Sequence, residues 1–162
     1  MKCFECGGEM KSWVGEDVPY NVGLPDVRVS GLELRKCLEC GEETTTIFRI
    51  LALHMAIAQA VIAKPSRLTA AEVKFLRKVL GWSSGDFARH MGVRPESVSR
   101  WENNKEPIGP QADRLLRLMV ATREPVSEYP LETLAELKTR ATPARIRAAR
   151  SRTGWHAERL TA

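Results

Sequence analysis

The sequence predicts an α+β fold, with a small β-rich module at the N-terminus, an all-α domain after it and a basic C-terminal extension. Three observations support this prediction. Two Cys-x-x-Cys-Gly turns enclose alternating apolar residues between positions 3 and 41. Apolar spacing becomes helical from Ile47 onward, and two helix-start signals precede later apolar runs. We expect domains over residues 1–63, 64–122 and 123–162.

The N-terminal block is expected to be rich in strands over residues 11–36. Val27 and Val29 alternate with polar residues, and Leu32 and Leu34 do so with the opposite parity. Because a change of parity moves side chains to the other face, it predicts a bulge or turn at Gly31. The following helix is expected over residues 47–63 and should end before Lys64-Pro65, since proline disfavours a helical residue before it.

Helix starts mark the middle of the chain. Thr69-Ala-Ala-Glu72 and Ser83-Ser-Gly-Asp86 each place a hydroxyl cap three residues before a carboxylate. Pro95 and Gly109-Pro110 indicate two further starts, because proline is well tolerated in the first turn of a helix. A short amphipathic helix is expected around residues 131–137.

Charge is distributed unevenly along the chain, whose net charge is +5. Residues 1–63 hold 6 basic and 9 acidic side chains, residues 64–122 hold 11 and 6, and residues 123–162 hold 8 and 5. The basic excess after residue 63 predicts a polyanionic partner such as nucleic acid, whereas the acidic excess of residues 1–63 suits a cationic partner. We therefore expect two separate functions.

The sequence does not predict export or membrane insertion. Its longest apolar stretch, residues 50–63, is shorter than the roughly 20 residues that a membrane helix needs. The N-terminus also lacks an apolar signal core. The expected location is the reducing cytoplasm.

The four cysteines of the chain form two pairs with the same spacing: Cys3, Cys6, Cys37 and Cys40. A two-residue gap lets two thiolates of one tight turn point at a common centre, and two such turns complete a tetrahedral site. Gly7 and Gly41 follow the pairs and permit the positive φ that directs backbone N–H groups at the sulfurs. Since all four ligands come from the protein, we expect one structural Zn²⁺ ion.

Two other uses of the cysteines remain open. Disulfides are less favoured, because Cys-x-x-Cys pairs make poor structural bridges and the expected compartment is reducing. Iron is the sharper alternative, since rubredoxin-like electron carriers also use two Cys-x-x-Cys-Gly turns. In such carriers, however, little chain is attached to the metal site. Absorbance distinguishes the metals, because ferric iron in sulfur ligation is red and zinc is colourless.

Residues 84–103 have the pattern of a helix-turn-helix. Ala88 lies where two helices cross closely, and Gly92 occupies the turn, where a left-handed backbone is needed. Apolar residues supply the faces that hold the two helices together, namely Phe87, Met91, Val93, Val98 and Trp101. An ordinary helical hairpin is the alternative, which the basic excess of this block makes less favoured.

The second helix of such a pair enters the major groove of DNA. Arg100 lies one turn after Glu96 and Ser97, and arginine is the commonest bidentate reader of guanine, so Arg100 is our first choice for specificity. A phosphate contact or an ion pair with Glu96 is the alternative role. Ser83 and Ser84 present a helix N-terminus that suits a phosphate. The full expected DNA surface comprises Arg94, Glu96, Ser97, Ser99, Arg100, Asn103, Asn104, Lys105, Ser83 and Ser84.

The cysteine turns, followed by Leu-Thr-x-x-Glu, Phe-Ala-x-x-x-Gly-Val and Val-Ser-Arg-Trp-Glu, resemble the MqsA-like antitoxins. These proteins join a YgiT-type zinc finger to an XRE-type helix-turn-helix of the Cro and lambda-repressor kind. The resemblance covers about residues 1–122. It implies a zinc domain that helps to bind an mRNA-cleaving toxin, and a homodimer that represses its operon at a palindrome.

The resemblance assigns the four cysteines as zinc ligands and Arg100 as the base-reading arginine. Glu96 stands where the family has a base-contacting asparagine, which leaves the operator sequence open. A stand-alone regulator without a basic ribonuclease toxin is the alternative function, because a fold hosts several functions. Enzyme activity is not expected, since His54, His90 and His156 are isolated and no phosphate-binding glycine loop is present.

The C-terminal extension lies beyond the resemblance. Its arginines cluster in an Ala-rich stretch that we expect to be helical or disordered, and they are Arg145, Arg147, Arg150 and Arg152. A solvated tail is the default interpretation. Nonspecific contacts with DNA phosphates are the alternative.

Overall fold

The computed structural model of the chain describes residues 2–123 and 137–160. Strands dominate both ends of the described chain, and helices fill its middle. In chain order the elements are β1 (Met10–Gly15), β2 (Val18–Pro19), β3 (Val27–Ser30), β4 (Leu32–Cys37), β5 (Glu43–Thr46), α1 (Ile50–Ile62), β6 (Ser66–Arg67), α2 (Ala70–Val79), α3 (Ser84–Met91), α4 (Pro95–Glu102), α5 (Pro110–Ala121), β7 (Lys138–Ala141), β8 (Ile146–Arg150) and β9 (Trp155–Arg159). The predicted α+β class is confirmed.

A three-stranded antiparallel sheet, in the order β1-β4-β5, carries the cysteine turns. The first turn lies before β1, and the second joins β4 to β5. Met10 pairs with Cys37 in the ladder between β1 and β4. An isolated bridge between Lys2 and Glu9 closes the first turn. The sheet thereby brings together two turns that lie far apart in the sequence.

A second sheet, in the order β2-β3-β8-β9, contains strands from both ends of the chain. Strands β3 and β8 are parallel, with Val27 beside Ile146 and Val29 beside Ala148. The prediction of helix or disorder over residues 123–162 is therefore wrong for residues 138–159. Residues 131–136 of the predicted short helix lie outside the described residues.

The C-terminal strands form because apolar residues alternate there with arginine. Ala144, Ile146 and Ala148 are buried, whereas Arg145 and Arg147 are exposed. This period of two is the pattern of a strand, and it matches the buried face of β3. The arginines also have carboxylate neighbours: Arg145 lies 3.7 Å from Asp26, and Arg147 lies 3.5 Å from Asp17.

Gly31 separates the two sheets, at the position where the change of parity predicted a bulge or turn. The strand before it, β3, belongs to the four-stranded sheet, and the strand after it, β4, belongs to the three-stranded sheet. Its φ is +88°, and a Cβ added there would lie 2.7 Å from the Cβ of Arg150. Both the backbone conformation and the packing therefore require glycine.

The predicted helix starts are confirmed. Thr69 and Ser83 each cap a helix, and each forms the reciprocal pair of bonds with Glu72 or Asp86 that defines a capping box. Pro95 and Pro110 occupy first turns. Helix α1 ends at Ile62, before Lys64-Pro65, as expected.

One hydrophobic core joins the halves of the molecule. Helix α1 lies at its centre, because it packs against α2 and α5 and also against β8 and β9. Leu53, Ile57 and Val61 are fully buried on this helix. The core therefore continues across the domain boundaries predicted at residues 63 and 122, and those boundaries stay predictions. No helix among the described residues is long and apolar enough to cross a membrane.

A buried polar network fixes the link between α1 and α2. Arg117 on α5 pairs with Asp113 at 2.6 Å, and its side chain is fully buried. Nearby, the ammonium group of Lys64 lies 2.5 Å from a carboxylate oxygen of Glu72 and donates to the carbonyl of Thr142 at 2.7 Å. Burial lowers the pKa of Lys64, because desolvation penalises its charged form.

Candidate metal centre and nucleic-acid interface

The two cysteine turns have the same backbone geometry. Gly7 donates to the carbonyl of Cys3 at 3.0 Å, and Gly41 donates to that of Cys37 at 3.2 Å. Both glycines have φ of +77°, which confirms the predicted positive φ. The N–H of Gly8 also reaches the Sγ of Cys6 at 3.4 Å. Backbone N–H groups therefore direct positive charge towards a sulfur.

The four Sγ atoms converge on one centre. They all lie within 4.8 Å of one another. The Sγ of Cys3 lies 3.7 Å from that of Cys40, and the Sγ of Cys6 lies 3.4 Å from that of Cys37. A tetrahedral ion with metal–sulfur bonds of about 2.3 Å needs sulfurs about 3.8 Å apart. The predicted ligands are thus brought together in an arrangement that can hold a metal ion.

The thiols favour a cation at this centre. Backbone N–H groups of Cys40 and Glu39 lower the pKa of Cys37 to about 6. At Cys40 the N–H of Glu42 favours the thiolate, but contacts with the Cys6 and Cys37 sulfurs outweigh it and raise the pKa to about 12. Four thiolates so close together repel one another, and a divalent ion removes that repulsion.

Helices α3 and α4 form the predicted bihelical unit. Gly92 ends α3 with φ of +64° in the left-handed region. The N–H of Val93 then bonds the carbonyl of Ala88 at 3.0 Å, which closes the turn. Ala88 is buried where the helices meet. The buried or half-buried apolar residues are those that the sequence predicted: Phe87, Met91, Val93, Val98 and Trp101.

Helix α4 is anchored through its inner face. Val98 is fully buried, and the ring of Trp101 packs edge-on against Phe87 with centroids 6.5 Å apart. Glu102 accepts two bonds from Arg77 of α2, at 2.5 and 3.1 Å. Because both partners of this ion pair are mostly buried, it holds the C-terminal end of α4 against α2.

The outer face of α4 carries most of the predicted DNA-contacting residues. Arg94 stands at the N-cap position without a side-chain capping bond, and the exposed or half-buried side chains that follow it are Glu96, Ser97, Ser99 and Arg100. Asn103 folds back on the helix and donates to the carbonyl of Ser99 at 2.8 Å. Asn104 and Lys105 are exposed beyond it.

Arg100 is oriented by Glu106, a residue for which the sequence pattern gave no signal. Its Nε lies 3.0 Å from a carboxylate oxygen of Glu106, and its terminal nitrogen donates to the Ser97 hydroxyl at 3.4 Å. The ion pair expected as an alternative was with Glu96, which instead is exposed one turn earlier. Glu106 lies after the helix, so helical spacing gave no signal for this pair.

Ser83 and Ser84 start α3. The Ser83 hydroxyl donates to a carboxylate oxygen of Asp86 at 2.6 Å, and this bond helps to lower the pKa of Asp86. A carboxylate therefore already occupies part of this helix N-terminus. Ser84 is exposed beside it. A phosphate contact by the Ser83 hydroxyl would therefore have to replace its bond with Asp86.

The comparison with known families decides the domain type. Residues 73–129 match the helix-turn-helix family model. This region is an XRE-type helix-turn-helix domain. Helices α3 and α4 form its core, and proteins of this family are DNA-binding regulators. No curated protein and no solved structure matches the chain.

Proposed function

We propose that this protein is a sequence-specific transcriptional repressor that reads operator DNA with α4. The observation that carries the proposal is the placement of Arg100 on the exposed face of a helix whose other face is locked into an XRE-type domain. A rigid helix supports precise base contacts, because little order is lost on binding. In this arrangement Arg100 pairs with a guanine edge in the major groove.

The other exposed side chains of the helix-turn-helix divide into two groups. Glu96 lies on the same face as Arg100 and can accept from a cytosine amino group. Ser97, Ser99, Asn103 and Lys105 position the helix through sugar and phosphate contacts, as do Arg94 and the serines that begin α3. The operator is proposed to be a palindrome read by a homodimer.

The test of DNA reading begins with selection of an operator from random duplexes by the full-length protein. Fluorescence anisotropy at fixed salt then gives the ratio of its affinities for operator and scrambled DNA. The free-energy difference that this ratio measures should fall by about 1–3 kcal/mol per half-site in Arg100→Ala. The matched control is Arg114→Ala, which removes an exposed arginine from α5 of the same domain. An unchanged ratio in Arg100→Ala would refute the assignment.

A homodimer contact through α5 is supported by two exposed leucines. Leu115 and Leu118 are 37% and 42% exposed on the outer side of this helix. Apolar side chains grouped on one surface mark interaction sites. We expect Leu118→Glu to convert a dimer into a monomer in light scattering. A wild-type monomer at concentrations that saturate the operator would exclude the dimer.

The metal centre is proposed to hold one structural Zn²⁺ ion, bound by Cys3, Cys6, Cys37 and Cys40. The protein supplies four sulfurs, so the ion has no ligand position left for chemistry and serves to tie the two turns together. Elemental analysis of the purified protein should give one zinc per chain. A red protein with bound iron would favour the rubredoxin-like alternative instead.

We propose that the metal module also binds a basic ribonuclease toxin, which makes the protein a type II antitoxin. Phe4 and Leu38 occupy equivalent positions in the two cysteine turns, and they are 93% and 66% exposed. Glu5 and Glu39 follow them and are exposed as well. Apolar side chains beside carboxylates suit a cationic protein surface.

Toxin binding is tested with the product of a small ribonuclease-like reading frame beside this gene. Coexpression should restore growth that the ribonuclease arrests. A Phe4→Ser/Leu38→Ser variant should lose this rescue and keep its zinc. Val14→Ser is the control, since Val14 is 68% exposed in the same module but away from the turns. Absence of such a reading frame, or no rescue by the wild type, would favour a stand-alone regulator. Rescue by the Phe4→Ser/Leu38→Ser variant would refute the assignment of the toxin-binding surface to these two side chains.

A further inference from the structure

A cavity of about 660 Å³ lies where the loop between β2 and β3 meets α1 and α2. Pockets that bind small molecules usually measure about 300–1,000 Å³. The cavity lies between the metal-bearing half of the chain and the helix-turn-helix. The cysteines and the proposed DNA-contacting residues do not line it. Its chemistry is therefore separate from both functions proposed above.

Most of the cavity wall is apolar. Leu51 and Met55 of α1 face it from one side, and Phe75, Val79 and Leu80 face it from the other. Phe75 and Leu80 are almost fully buried, so they form a fixed wall. A wall of this kind suits a flat apolar body, because burial of both surfaces removes apolar area from water.

A pair of polar groups lies within this apolar surface. The Tyr20 hydroxyl and the His54 Nε2 are 2.9 Å apart, and the imidazole packs edge-on against Phe75. Burial lowers the pKa of His54 and raises that of Tyr20. Both side chains are therefore held in their neutral forms, and the Tyr20 hydroxyl, which can both donate and accept, keeps capacity for a ligand beside its bond with His54.

The charges around the cavity have one sign. Lys78 and Arg123 line it, and no carboxylate is present among the described residues that line it. Arg123 is held in place by a bond that it donates to the carbonyl of Leu80. Two cations beside an apolar wall recognise a negative group on an apolar molecule.

We propose that this cavity binds a small amphipathic anion, namely an aromatic ring system that carries one carboxylate or sulfonate group. The ring system lies between α1 and α2, and the anionic group pairs with Lys78 and Arg123. The Tyr20 hydroxyl, which is oriented by its bond with His54, supplies a hydrogen bond at the inner edge of the ring. The ligand thereby joins the metal-bearing half of the protein to the first helix of the DNA-binding domain.

The test uses two fluorescent probes with nearly the same aromatic body. 1-Anilinonaphthalene-8-sulfonate carries an anion, and N-phenyl-1-naphthylamine is its uncharged counterpart. The full-length, metal-loaded protein should bind one sulfonate probe per chain with a saturable rise in fluorescence. Lys78→Ala should weaken this binding about two- to fivefold, and Lys78→Glu should weaken it further, with little change for the neutral probe.

The control is Lys74→Glu, because Lys74 is exposed on the same helix but does not line the cavity. Met55→Trp should fill the cavity and abolish saturable binding of both probes, with folding checked by circular dichroism. The Lys78 variants alter an exposed side chain and should fold normally, so they test anion binding in the cavity even if Met55→Trp fails to fold. Equal effects of Lys74→Glu and Lys78→Glu, or no saturable binding, would overturn the proposal.

Discussion

Replacement of Arg117 by methionine is expected to remove most of the stability of the protein. The guanidinium is fully buried and makes four short bonds. One goes to the Asp113 carboxylate at 2.6 Å, and three go at 2.7 Å to the carbonyls of Ile62, Lys64 and Ser66. This single side chain therefore fixes α5 to the segment between α1 and α2.

The magnitude follows from what the substitution leaves behind. Removal of one partner of a buried ion pair costs about 3–5 kcal/mol. Each buried carbonyl left without a donor adds about 1–3 kcal/mol when water cannot reach it. The expected loss is at least about 6 kcal/mol, against a total stability of about 5–15 kcal/mol for a domain of ordinary size.

Urea unfolding followed by far-UV circular dichroism measures this loss. The control is Arg114→Met, an exposed position on the same helix, for which the expected change is below about 1 kcal/mol, because contacts of an exposed arginine contribute little to stability. The variant should unfold at a much lower urea concentration or be unfolded without urea. A loss below about 1 kcal/mol for Arg117→Met would show that the network contributes little to stability.

Three further changes test other parts of the structure. Gly31→Ala should cost at least about 1–2 kcal/mol, because the φ of Gly31 is positive. Gly85→Ala in α3 should instead stabilise by up to about 1 kcal/mol in the same urea assay, because an added Cβ would make only an ordinary contact, 3.7 Å from the Ser83 hydroxyl oxygen. His54 has a lowered pKa, so the unfolded state binds more protons just below its ordinary value of 6.5. Stability should therefore fall as the pH drops through that window, and His54→Gln should flatten the fall relative to wild type in urea titrations. Cys37→Ser should abolish stoichiometric metal binding in elemental analysis while the helix signal in circular dichroism persists; full retention of metal would contradict the four-sulfur site.

Local sequence signals predicted the helix-turn-helix and the cysteine turns well. The capping residues, Gly92 in the turn and the small Ala88 act within a few residues of their own position. The cysteine pairs are equally local, since each turn needs two thiols and a glycine. Such features can be predicted from sequence because the residues that cause them lie within the segment itself.

The C-terminal strands depend on contacts that are distant in sequence. Strand β8 is stabilised by β3, more than 100 residues earlier in the chain. The alternation of Ala144, Ile146 and Ala148 with arginine was available as a strand signal. Its alanine and arginine content favoured a helix instead, because both are good helix formers.

The buried charges were not predictable from local pattern. Lys64, Glu72, Asp113 and Arg117 belong to residue types that are almost always exposed unless they are paired. Their pairing partners come from different segments of the chain, including the carbonyl of Thr142. The ion pair of Arg100 with Glu106 is another case, because it joins a helix to the loop after it.

Methylation interference on the selected operator tests most directly whether Arg100 reads a guanine in the major groove. Methyl groups on guanine N7 block the major-groove edge, and those on adenine N3 block the minor groove. Methylation of one guanine N7 in each half-site should abolish binding by the wild type, and Arg100→Ala should no longer respond to this methylation. Interference confined to adenine N3, or the same guanine dependence in both proteins, would show that Arg100 does not read a guanine in the major groove.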